Sequence, residues 1–129
     1  MKRLIFLILS FTICAGALAH SDSKWTKGPN GGHIVDAGGG KQHWELSAKG
    51  NELTLRITDA SEKPVDVSTG LATARVLVKG KTYNVEFKPA GGNVMNATGR
   101  FEARKGMRVI VKTKGIGGQS FQARLAPNK

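Results

Sequence analysis

Glu52-Leu53-Thr54-Leu55-Arg56-Ile57-Thr58 alternates polar and apolar side chains without exception. Successive side chains of a strand point to opposite faces, so Leu53, Leu55 and Ile57 on one side mark a half-buried β-strand. Turn formers bound it on both sides: Lys49-Gly50-Asn51 before, and residues 59–64, with Asp59, Ser61 and Pro64, after.

Upstream, residues 33–36 and 41–47 flank Gly38-Gly39-Gly40 and read as a β-hairpin. Placing Ile34, Trp44 and Leu46 on one dry face requires opposing residues whose numbers sum to an even value, and a turn centred on Gly38 gives such a sum, 76. That register sets His33 opposite His43, with Cβ atoms roughly 4.5–5.5 Å apart. A one-residue slip would move Trp44 into water and separate the two imidazoles.

Downstream, residues 65–69 read as a short edge strand. Residues 72–78 and 82–88 flank Lys79-Gly80-Lys81, with Ala74, Val76 and Val78 on the same side as Tyr83, Val85 and Phe87. Residues 89–93 break the pattern, and 94–101 form a weaker strand interrupted by Gly99. Met107, Val109 and Val111 then alternate with Arg108, Ile110 and Lys112, and Lys114 extends the basic face. Gly115-Ile116-Gly117-Gly118 turns the chain into residues 120–126, where Phe121, Ala123 and Leu125 share a side. These seven or eight short strands, with no helical period beyond the N-terminal stretch, predict an all-β fold. The architecture expected is an antiparallel, immunoglobulin-like β-sandwich.

The N-terminal stretch has a separate purpose. Met1-Lys2-Arg3, an apolar run over residues 4–19 and Ala17-Leu18-Ala19 have the form of a secretory signal peptide, residues 1–19. Its apolar part is too short to span a bilayer comfortably, so the chain is not expected to be membrane-spanning. Residues 20–30 are polar and turn-rich and are expected as a flexible arm; Trp25 there is either an anchor or an exposed ring. Residues 31–129 form the sandwich domain. Export implies a periplasmic location. The single cysteine, Cys14, leaves with the signal, so neither a disulfide nor cysteine–zinc chemistry is available.

Setting aside Lys2 and Arg3, 18 of the 20 Lys and Arg remain against all nine acids, a net charge of +9. After export, the partners open to such a charge are anionic envelope polymers or lipid head groups rather than nucleic acid. Few aromatics interleave with the basic residues, which further disfavours nucleic acid. Arg108, Lys112 and Lys114 share a strand face and are the candidate partner-binding residues. A solvated face that only keeps the protein soluble is the plain alternative.

Enzyme signals are poor. No G-x-S-x-G, Walker loop or H-E-x-x-H occurs, and no helix follows the Gly38–Gly40 cluster to make a phosphate loop. No organic cofactor is expected. Signal cleavage would leave His20 first, offering an α-amine and a ring nitrogen to one ion. With His33 and His43 facing each other, His20, His33 and His43 are candidate ligands for copper or zinc, copper(II) favouring nitrogen donors in a square. Glu45, on the face of His43, is a possible oxygen ligand or a plain solvent-facing acid. Met95 is a core residue or a sulfur donor to copper(I), and Met107 belongs to the core.

Gly28-Pro29-Asn30-Gly31-Gly32-His33, His43-Trp44-Glu45-Leu46, and Thr58-Asp59 with Lys63-Pro64-Val65 together resemble small exported β-sandwich proteins. These are related to domains of the periplasmic adaptor subunits of heavy-metal efflux pumps. The likeness covers residues 28–125 and implies a role in metal handling or efflux. The family's pattern is G-P-H-G-G, a short strand, H-x-E-L, then T-D and K-P-V. His43 matches the histidine before E-L, whereas Asn30 stands where the family has its G-P-H histidine.

Two functions are therefore expected in parallel. One is a periplasmic metal-binding accessory protein for copper or another heavy metal. The other is a non-enzymatic interaction module that binds an anionic envelope component or an efflux-pump subunit through its basic strand face.

Overall fold

The computed structural model describes residues 25–129. Residues 1–19, expected as a signal peptide, and His20 lie outside the described residues. Alternation in the sequence becomes alternation in burial. In β3 (Glu52–Asp59) Leu53, Leu55 and Ile57 are fully buried, and in β4 (Leu71–Val78) every second residue from Ala72 to Val78 is buried. The remaining strands are β1 (His33–Ala37), β2 (Gln42–Lys49), β5 (Lys81–Glu86), β6 (Lys88–Pro89), β7 (Val94–Thr98), β8 (Arg108–Lys114) and β9 (Gln122–Leu125).

They form two antiparallel sheets, one of five strands in the order β1-β2-β3-β7-β6 and one of four in the order β5-β4-β8-β9. Among the described residues there is no helix. Trp44, Leu46, Leu53, Leu55, Ile57 and Met95 of the first sheet share one core with Val76, Val109 and Val111 of the second, an arrangement consistent with a sandwich. Burying a side chain of this size stabilises by about 1.5–3 kcal/mol before chain entropy is counted.

The β4–β5 hairpin keeps the expected faces, with Ala74 opposite Val85 and Val76 opposite Tyr83. Its two-residue turn has φ of 48° at Lys79 and 73° at Gly80, the double left-handed geometry that matches strand twist. Two local expectations change. Residues 65–69 form no strand: Pro64 makes a single bridge to Thr58, although Val67 is buried. The break expected from residue 89 instead begins with a two-residue strand, since Lys88 and Pro89 pair with Asn96 and Met95.

The first hairpin departs most. Ala37 pairs with Gln42, Asp36 with His43, Val35 with Trp44, Ile34 with Glu45 and His33 with Leu46. The turn is thus centred between Gly39 and Gly40. Gly38, Gly39 and Gly40 all take positive φ (61°, 70° and 93°), which lengthens the loop beyond a tight turn about Gly38. A Cβ on Gly38 would lie 2.2 Å from the Phe121 ring, so this close approach needs glycine. The inward apolar residues of β1 are Val35 and Ala37, while Ile34 turns to the outer face. Gln42 anchors the inner side: its amide donates to the Ile116 carbonyl (2.9 Å) and accepts from Trp44 Nε1 (3.0 Å).

Candidate functional site

The register decides what the two described histidines can do together. Residues paired across strands share a face, and alternate residues along a strand share it too. His33 goes with Leu46 on the inner face; His43 goes with Asp36 and Thr58 on the outer face. The expected facing pair is corrected: the two imidazoles lie on opposite faces of the five-stranded sheet. Among the described residues no group of three or more His, Cys, Asp or Glu is placed to hold a metal ion.

His33 is a clasp. Its Nδ1 accepts a hydrogen bond from the Ala126 N–H (2.8 Å), and its ring stacks on Trp25 with centroids 5.4 Å apart and planes 16° from parallel. Trp25 Nε1 in turn donates to the Ala126 carbonyl (2.6 Å). Both polar groups of Ala126 are thereby satisfied by one aromatic pair. Burial first, and the Lys129 charge second, hold the His33 ring below the ordinary imidazole value. Trp25 is therefore the anchor of the two alternatives. Residues 25–30, expected as part of a mobile arm, are tied down further by Ile34 N–H to the Thr26 carbonyl (3.0 Å) and Gly28 N–H to the Gly32 carbonyl (2.7 Å).

On the outer face of the same sheet, His43 Nε2 lies 3.4 Å from Asp36 Oδ1. Glu45 shares that face, but it is only 3 % exposed, against the expectation of a solvent-facing acid. Its carboxylate accepts the Asn30 N–H (2.8 Å), the Asn30 side-chain amide (2.8 Å) and the Gly32 N–H (2.9 Å). A Cβ on Gly28 would meet Glu45 Cδ at 2.5 Å, and one on Gly32 would meet the Leu46 carbonyl oxygen at 2.5 Å. The Gly28–Gly32 motif and Glu45 thus form one device, a loop folded over a carboxylate. Met95 and Met107 are buried in the core.

The outer face of the four-stranded sheet is of a different kind. Leu71 pairs with Lys114, Thr73 with Lys112, Arg75 with Ile110 and Leu77 with Arg108; Ile110 pairs onward with Arg124 and Lys112 with Gln122. Arg75, Arg108, Lys112, Lys114 and Arg124 therefore share one face, all exposed, with Glu86 opposite Thr73 as its acid. None of the five makes an ion pair with another described residue. A hollow of about 530 Å³ between Arg75, Asn84, Glu86, Ile110 and Lys112 lies on this face. At the Leu77 end, an open groove of about 640 Å³ is lined by Trp25, His33, Leu77, Arg108, Arg124 and Lys129. Arg108, Lys112 and Lys114 were legible from one strand. Arg75 and Arg124 join them only through the neighbourhood of β4, β8 and β9, although each sits at a polar position of its own alternation.

Compared with known proteins, the chain matches no family model, no curated protein and no solved structure.

Proposed function

We propose that this protein is an exported, non-enzymatic interaction module that holds an anionic component of the cell envelope on the outer face of its four-stranded sheet. The observation that supports this reading is the five-cation face, which carries Glu86 as an acid but in which none of the five cations is ion-paired with a described residue. Like charges on neighbouring strands repel one another, and an anionic partner relieves that repulsion while gaining its own attraction. Export through residues 1–19, a periplasmic location, an immunoglobulin-like connectivity and kinship with efflux-adaptor domains belong to the same proposal and rest on the sequence.

Salt is the first test, because exposed charges are screened over about 8 Å at physiological ionic strength. Retention on a heparin-type matrix is expected to fall steeply with salt and to drop in the double variant Arg108→Gln/Lys112→Gln. Neutralising Lys49 and Lys88, which belong to the other sheet, is expected to leave retention nearly unchanged. Equal losses from both pairs would mean that net charge alone, and not this face, governs binding.

A further inference from the structure

Among the described residues, the large apolar side chains left exposed are Leu71 (67 %) and Leu77 (38 %). Single exposed leucines are ordinary and need no explanation. These two lie at opposite ends of the same strand, six residues and so roughly 20 Å apart, and both point out of the cationic face. Each is paired across the strand with a cation, Leu71 with Lys114 and Leu77 with Arg108. Half-buried Ile110 lies between them, flanked by Arg75 and Arg124.

A soluble polyanion has use for the cations and none for the leucines. A lipid surface has use for both: phosphates meet the basic side chains while short apolar side chains enter the boundary between head groups and acyl chains. The groove beside Leu77 adds to this. It sets the Trp25 indole, a ring favoured at membrane–water interfaces, among Arg108, Arg124 and Lys129. Among the described residues no helix is long and apolar enough to cross a membrane.

We infer that the outer face of the four-stranded sheet lies on an anionic lipid surface, with Leu71 and Leu77 in the head-group layer and the Arg108–Arg124–Lys129 groove receiving a lipid phosphate. This rests on the proposed anion-binding role of the face and names the chemistry of its partner.

Co-sedimentation of the processed protein with vesicles tests it. Binding is expected to vesicles containing phosphatidylglycerol and not to pure phosphatidylcholine. Affinity is expected to fall about fivefold for each cation of the face removed. Leu71→Ser/Leu77→Ser is expected to weaken vesicle binding on the order of tenfold while leaving heparin retention unchanged, since burying one methylene alone contributes about a fourfold gain. Circular dichroism checks that this variant folds. Heparin retention without vesicle binding, or vesicle binding indifferent to both leucines, overturns the lipid inference and leaves the anion-binding role standing. Absence of both kinds of binding overturns the two together.

Discussion

The outer faces of the two sheets differ in where their charged groups find partners. On the five-stranded sheet, Glu45 and His43 find partners within the chain: Glu45 is wrapped by Asn30 and Gly32, and His43 lies against Asp36, while the Ser47 hydroxyl and the Asn96 side-chain oxygen of the same face are buried without a hydrogen bond to any described residue. On the four-stranded sheet, Arg75, Arg108, Lys112, Lys114 and Arg124 are left without an ion pair among the described residues, beside exposed leucines. A polar residue with its bonding capacity spent inside the protein holds structure; a charge left unspent on a rigid strand is available to a partner. The motif most suggestive of chemistry in the sequence, glycines and histidines around residues 28–46, falls in the first category.

The comparison breaks most easily at Glu45. Glu45→Ala leaves the buried Gly32 N–H and the part-buried donors of Asn30 without an acceptor and is expected to destabilise by about 2–4 kcal/mol. Denaturant unfolding measures this, and heparin retention of the folded protein should be unaffected. Loss of retention with unchanged stability would reverse the roles assigned to the two faces. Next in size is Arg108→Gln/Lys112→Gln, expected to weaken binding to anionic vesicles by roughly thirtyfold at low salt. Its unfolding midpoint should hardly move, since exposed substitutions usually stay within about 0.5 kcal/mol.

His33 gives a smaller effect with a definite sign. Its folded-state pKa is lowered from 6.5 by burial and by Lys129, so the unfolded chain binds the proton more readily. Stability is then full above about pH 6.5 and is lost as the pH falls through the folded-state value. Protonation also turns Nδ1 from acceptor to donor, breaking the bond from the Ala126 N–H. His33→Ala is expected to cost about 1–2 kcal/mol at neutral pH and to flatten this part of the pH profile. An unchanged profile would remove the clasp.

The smallest effect belongs to His43. His43→Ala should shift stability by no more than about 0.5 kcal/mol. A shared metal site predicts stabilisation of about 2.7 kcal/mol at a hundredfold excess of copper(II) or zinc over the dissociation constant, abolished by either histidine substitution. The observed register predicts no such joint dependence on His33 and His43. Finding one would contradict the register and restore the metal reading.

Much of the fold was legible because burial writes itself into period two. Leu53-Leu55-Ile57, Ala74-Val76-Val78 and Val109-Val111 each identified a strand and its inward side. The first hairpin was not legible, for a physical reason. Three consecutive glycines accept many backbone paths, so their sequence fixes neither loop length nor centre, and Ile34 and Val35 are equally apolar candidates for the inner face. What decided between them, the seat of Gly38 against Phe121 and of Gln42 against Ile116, involves residues more than seventy positions away. The anchoring of Trp25 at Ala126 is non-local in the same way, whereas the partners of Glu45, Asn30 and Gly32, lie only 15 and 13 positions upstream. Three of the five cations of the face are readable from β8 alone; Arg75 and Arg124 join them only once strand order is known.

Amide chemical-shift mapping of the isotopically labelled protein during titration with a polyanion reads the binding face residue by residue. Shifts are expected to concentrate on β4, β8 and β9, around Arg75, Arg108, Lys112, Lys114 and Arg124, with residues 34–49 silent. Shifts centred on residues 34–49, with those three strands unmoved, would contradict the proposed binding face.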